Sequence, residues 1–303
     1  MKLSVPVDDG VTLNVRHRPG GDGRPFLLLH GLGSNARMWD EVADRLAAAG
    51  HPVYAVDMRG HGESELPPRG YDNATAVTDL VAVCRGLRLT GALLAGHSWG
   101  GNLAVRFAAV RPDLTAGLAL VDGGWISPAD VLDGGSAGRD GTSPDGPGAD
   151  KPKDLGWWSP DARTTVKTMR ELLRAIHPTW SATAVEASLA DMVEGPDGLL
   201  GPRLPLEHYV SIGRSMRDDP PSRWYSGVTA PVLLLNAVPP NPSPSWVTWV
   251  RKWVADAEAA LPRTESRWYD DSDHSLHAEH PDRVAADLLD LARTVGRPTT
   301  ERA

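Results

Sequence analysis

Ser98 stands at the centre of Gly96-His97-Ser98-Trp99-Gly100, and its setting makes it the first candidate for chemistry. A serine hydroxyl is a weak nucleophile until a base removes its proton. In a G-x-S-x-G turn between a strand and a helix the backbone bends sharply and the hydroxyl stands clear of the sheet. Both flanks are present here. Ala92-Leu93-Leu94-Ala95 reads as a buried strand, and the stretch from Gly101 to Ala109 has helical character. A second match, Gly134-Gly135-Ser136-Ala137-Gly138, has no strand before it and reads as loop.

The base must come from elsewhere among ten histidines. His274 follows the last predicted strand and precedes the last predicted helix, in Asp273-His274-Ser275-Leu276-His277-Ala278-Glu279-His280-Pro281. A loop at the carboxyl end of a strand lies on the same rim as Ser98, so His274 is the expected base. His277 and His280 lie nearer the helix start and read as structural or surface groups. A metal site built from the three has no matching carboxylate-rich strand end, and no metal is expected. An imidazole base needs an acid that fixes its tautomer. In the usual order of serine, acid, histidine, that acid falls between Ser98 and His274.

Elements that would position these groups alternate along the chain. Residues 3–18 read as a hairpin around Asp8-Asp9-Gly10. Strands are expected at Phe26–Leu29, Val53–Val56, Ala92–Ala95 and Leu118–Val121, separated by helices over about 39–49, 72–88 and 101–109. Strand–helix alternation predicts a parallel sheet with helices on both faces, and ligands in such sheets bind beyond the carboxyl strand ends. His30, Ser98 and Asp122 all sit at such ends. The alternation then stops. Residues 133–152 are rich in Gly, Asp, Pro and Ser and read as a flexible loop. Helical segments at Thr164–Ile176 and Ala182–Val193 read as an insertion. Strands at Val232–Leu235 and Arg267–Tyr269 and helices at Trp246–Leu261 and Pro281–Val295 resume the pattern.

Composition sets the outer bounds. A chain of 303 residues suffices for one large domain with an insertion. The net charge of −8 without basic runs gives no reason to expect nucleic-acid binding. The single cysteine, Cys84, excludes an internal disulfide. No signal-type or membrane-spanning apolar run is present in the sequence, so the expected location is the cytoplasm, with no membrane partner. There are 11 Trp against 2 Phe, most of them between Trp125 and Trp268. They either line an apolar pocket or pack the core.

The chain resembles the α/β-hydrolases outside residues 125–225. The resemblance rests on His30-Gly31-Leu32-Gly33, Asp57-Met58-Arg59-Gly60-His61-Gly62-Glu63-Ser64, Gly96-His97-Ser98-Trp99-Gly100-Gly101, and His274 seven residues before Pro281. It implies a mostly parallel eight-stranded sheet, with a core domain of 1–124 and 227–303 and a helical cap of 125–226. It also implies a serine hydrolase that needs no cofactor. Most members carry the acid after the seventh strand, but here that loop reads Asn236-Ala237-Val238-Pro239-Pro240-Asn241-Pro242, and Pro240 aligns with the usual acid. Some branches, such as certain haloalkane dehalogenases and the zearalenone lactonase type, place it after the sixth strand, which assigns Asp122. The alternative is an incomplete triad, with Asn241 or no group orienting His274. Asp270, Asp271 and Asp273 share the histidine's own loop and are poorly placed to reach behind it.

The same resemblance assigns the oxyanion hole to the backbone N–H groups of Leu32 and Trp99. His30 is expected to support that loop, and Asp57, Arg59 and His61 the neighbouring turn. Trp125, just after Asp122, is a candidate substrate contact. The resulting expectation is cleavage of a small-molecule carboxylic ester or lactone with a bulky apolar or aromatic group, by a monomer or homodimer. C–C bond hydrolysis, amide hydrolysis and perhydrolase chemistry remain open on the same residues, as does a ligand-binding homologue without activity.

Overall fold

The computed structural model describes residues 1–126 and 164–296. The expected flexible loop at 133–152 lies outside the described residues. Strands β1 (Lys2–Pro6), β2 (Thr12–Arg18), β3 (Phe26–Leu29), β4 (Val53–Val56), β5 (Ala92–His97), β6 (Thr115–Val121), β9 (Val232–Ala237) and β10 (Thr264–Tyr269) form one eight-stranded sheet. Its order is β1-β2-β4-β3-β5-β6-β9-β10. Pairings from β4 to β10 are parallel, and only β1–β2 and β2–β4 are antiparallel.

The apolar runs work because both faces of the sheet are covered. Successive side chains of a strand point to opposite faces. Phe26, Leu28, Leu93, Ala95, Ala119, Val121, Leu233 and Leu235 pack beneath α1 (Asp40–Ala48) and α9 (Pro281–Val295), through Val42, Leu46, Val284, Leu288 and Leu291. Leu27, Leu29, Leu94, Leu118, Leu120 and Leu234 face the other way. They meet α2 (Asn73–Gly86), α3 (Trp99–Val110) and α7 (Pro244–Ala260), through Val77, Leu80, Leu103, Phe107, Val250 and Val254. Each fully buried Leu or Phe contributes about 1.5–3 kcal/mol of transfer free energy.

The strand ends lie side by side. Leu29 is level with Gly96, His97 with Val121, Val121 with Leu235, and Ala237 with Tyr269. The chain leaves β3 toward β4 on one side and β5 on the other, so the topological switch falls at the ends of β3 and β5, where such folds bind ligands.

Residues 164–227 add no strand to this sheet. They hold α4 (Val166–Ile176), α5 (Ala182–Leu189), the hairpin β7 (Met192–Glu194) and β8 (Leu200–Pro202), and α6 (Leu206–Asp218). The helix expected over Ala182–Val193 stops at Leu189, because Met192–Glu194 pairs antiparallel with Leu200–Pro202. The Asp197-Gly198 pair, with Gly198 at φ 74°, makes the turn. Helix α8 (Leu276–Glu279) is a single turn before α9.

Candidate active site

Ser98 has φ 52° and ψ −118°, a conformation that an L-residue rarely adopts. The surrounding glycines make room for it. A β-carbon on Gly96 would lie 2.2 Å from the Gly100 carbonyl oxygen, and one on Gly123 would lie 2.4 Å from that of Ser98. Ser98 makes no side-chain cap to α3, which leaves its hydroxyl to a reacting partner.

Asp122 ends the adjacent strand and is also strained, at φ 43°. Its two carboxylate oxygens are divided between two donors. Oδ2 accepts from His274 Nδ1 at 2.5 Å, and Oδ1 accepts from the Ala237 N–H at 3.0 Å. The carboxylate is buried while the imidazole is 51 % exposed. With Nδ1–H given to Asp122, the lone pair of neutral His274 sits on Nε2, the nitrogen a base must present. The structure therefore joins the expected acid to the expected base across 152 residues.

The rival groups go elsewhere. Asp273 Oδ2 meets His177 Nδ1 at 2.7 Å, and its Oδ1 accepts from the Ser275 N–H. His280 Nε2 meets the Ser272 hydroxyl at 2.7 Å. His277 is buried against Trp39, with ring centroids 4.3 Å apart, and burial pushes its pKa down to about 3. Among the described residues no group of three His, Cys, Asp or Glu converges to hold a metal ion.

Two neutral imidazoles, with ring centroids 5.0 Å apart, hold the peptides that flank Leu32. His30 donates through Nδ1–H to the Gly31 carbonyl at 2.7 Å and accepts the Met58 N–H on Nε2 at 3.0 Å. His61 donates through Nδ1–H to the Arg59 carbonyl at 2.9 Å and accepts the Gly33 N–H on Nε2 at 3.3 Å. Burial lowers the first pKa to about 4 and the second to about 3, so both rings stay neutral. The peptides on both sides of Leu32 are thereby fixed. The loop also lies against the serine, since a β-carbon on Gly31 would stand 3.2 Å from Ser98 Cβ.

The adjoining turn is held from below. Asp57 accepts from Asn14 Nδ2, the Ala36 N–H and the Glu63 N–H at 2.7, 2.7 and 3.0 Å. Arg59 grips both oxygens of Asp79 at 2.9 Å. Trp99 opens α3, and its indole N–H donates to Asn73 Oδ1 at 3.0 Å, tying the serine turn to α2. Trp125 is 5 % exposed and faces Trp253 at 6.5 Å. Its indole nitrogen has no partner among the described residues.

The segment 164–227 is fastened to the core around this rim. Asn35 Nδ2 donates to the Ala187 carbonyl, Arg203 Nη2 to the Ser64 carbonyl, and His177 meets Asp273 next to the base. Sequence reasoning gave these groups no role, because residues far apart in the chain make the contacts.

Residues 26–287 match the family model described as "Alpha/beta hydrolase family", and the chain belongs to that family. It is 29 % identical over 234 residues to 2-(acetamidomethylene)succinate hydrolase of Mesorhizobium japonicum, covering 77 % of each chain. It is 39 % identical over 105 residues to AB hydrolase superfamily protein YisY of Bacillus subtilis, covering 35 % of this chain and only 38 % of that relative. Among solved structures, E-2-(acetamidomethylene)succinate hydrolase superposes with a TM-score of 0.69 at 24 % identity, covering 97 % of this chain and all of the other. The thioesterase domain from the curacin biosynthetic pathway gives 0.71 at 18 % identity, covering 95 % and 99 %. At these identities the superpositions speak for the fold. The family itself rests on the match over residues 26–287.

Proposed function

We propose that the protein hydrolyses a carboxylic ester or lactone through an acyl-enzyme on Ser98. The observation that carries this reading is the Asp122–His274 pair at 2.5 Å, on the strand end beside the strained serine. His274 Nε2 takes the Ser98 proton as Oγ attacks the carbonyl carbon. The oxyanion is held by the backbone N–H groups of Leu32 and Trp99. Each such donor is worth roughly 10²–10³ in rate. Asp122 stabilises the imidazolium. His274 then protonates the leaving alcohol, and the same nitrogen deprotonates the water that frees the acid. Residues 164–226 act as the cap over this rim, and the half-buried Trp246 and Trp249 with Trp125 favour an apolar or aromatic substrate.

A second reading is amide hydrolysis. It is favoured by the likeness to 2-(acetamidomethylene)succinate hydrolase, whose named substrate carries an acetamido group. Turnover of p-nitrophenyl acetate and butyrate beside p-nitroacetanilide separates the two. Ester cleavage that disappears in Ser98→Ala is expected. Anilide turnover exceeding ester turnover would move the assignment to amides, and hydrolysis that survives in Ser98→Ala would overturn both.

A further inference from the structure

His97 enters none of these steps, yet it touches the base and stands against the Leu32 loop. It is the last residue of β5 and is buried. Its Nε2 lies 2.9 Å from the carbonyl oxygen of His274. A carbonyl only accepts, so Nε2 carries the proton and Nδ1 keeps a lone pair. Nδ1 has no partner among the described residues and faces the Leu32 loop, where a β-carbon on Gly31 would come within 2.9 Å of it. The His97 ring stands 4.6 Å from the His274 ring and 4.5 Å from that of His277, which in turn lies 4.3 Å from Trp39. Four rings thus form a column from the core beneath the sheet to the half-exposed base.

Packing alone accounts poorly for this column. Neither ring nitrogen of His277 has a partner among the described residues. Burying imidazole nitrogens without partners is costly, and apolar rings of similar size would fill the same space without that cost. The hydrogen bond to His274 is what an apolar ring at position 97 does not supply. The His274 side chain is 51 % exposed and is anchored at Nδ1. A second anchor on its backbone stops the ring from swinging about the Asp122 bond.

We propose that His97 is a positioning residue for the base: its Nε2–H bond to the His274 carbonyl, with the ring contact behind it, sets the imidazole so that it meets Asp122 and Ser98 together. This rests on the Ser98–His274–Asp122 reading. Burial holds His97 and His277 far below the ordinary histidine pKa, so the column adds no positive charge behind His274 when that ring takes the serine proton.

Two variants test the inference, each checked for native circular dichroism and assayed on p-nitrophenyl butyrate. His97→Phe keeps the bulk and loses the donor. His97→Gln loses the ring but keeps an N–H of similar reach. The expected result is a fall in kcat of about 10–100-fold for His97→Phe with KM within about twofold, and recovery of most of that loss in His97→Gln. A His97→Phe enzyme as active as the parent, with His97→Gln the weaker, would reduce His97 to packing. If His97→Phe does not fold, ¹⁵N resonances of the parent decide: His97 is expected neutral and protonated on Nε2 from about pH 5 to 8, and an Nδ1–H tautomer overturns the inference. Hydrolysis that persists in Ser98→Ala would instead sink the triad reading. Its loss there, beside an unimpaired His97→Phe, would sink the role of His97 alone.

Discussion

The ends of β6 and β9 are neighbours in the sheet, parallel and level at Val121 and Leu235, yet they carry opposite chemistry. The β6 end turns at once, through Asp122 at φ 43° and then Gly123 and Gly124. The β9 end runs on into Val238-Pro239-Pro240-Asn241-Pro242, with Asn241 at φ 52° and no carboxylate. The two still cooperate. Asp122 N–H donates to the Leu235 carbonyl, and Ala237 N–H donates back to Asp122 Oδ1. One strand end supplies the charge, and the other supplies the donor that orients it. On the proposed reading, Asp122 at the end of β6 does the work of an acid after β9, since its Oδ2 already meets His274 in the loop after β10.

That contrast is broken most severely by Asp122→Asn. It keeps the shape but presents an amide to His274 Nδ1, and kcat/KM for p-nitrophenyl esters should fall about 10³–10⁴-fold. A fall under tenfold would move the acid elsewhere. Gly123→Ala should come next. Its β-carbon would press on the Ser98 backbone, costing about 1–3 kcal/mol of stability by thermal melts and about 10²-fold in kcat.

The Leu32 loop offers a comparison of a different kind, because His61 beside it is buried and neutral. Its pKa is about 3 in the fold against 6.5 in the unfolded chain, so the unfolded chain binds the extra proton between those values. Native stability therefore falls as pH drops from 6.5 toward 3. His61→Gln lacks that proton, so its deficit against the parent at pH 7 should shrink by about 1.4 kcal/mol per pH unit below 6.5. A gap independent of pH in denaturant melts would mean a charged or exposed His61. The smallest effect is expected at the other strand end: Pro240→Ala and Asn241→Ala should leave kcat/KM within about twofold. A large loss in Asn241→Ala would restore the reading in which the β9 loop orients His274.

The sequence made these elements legible to different depths. Ser98 and His274 follow from local signals, a glycine-framed turn between strand and helix and a loop after the last strand. The sheet follows from apolar runs that split cleanly between two faces. Asp122 needed a likeness to other chains, since a lone Asp after a strand has no local mark. The hairpin of β7 and β8 was missed despite Asp197-Gly198, because its strands have only three residues each and adjoin a helical pattern. The role inferred for His97 was out of reach, because its partner carbonyl lies 177 residues away and no periodicity encodes such a contact.

The central claim is that three strand ends and one loop converge on a single reacting carbon. A crystal structure of the protein after treatment with a fluorophosphonate tests it most directly. The account predicts phosphorus bonded to Ser98 Oγ, a phosphonyl oxygen about 2.7–3.1 Å from the backbone nitrogens of both Leu32 and Trp99, and the His274–Asp122 bond intact. A label on another residue, or an oxygen turned away from both amides, would contradict it.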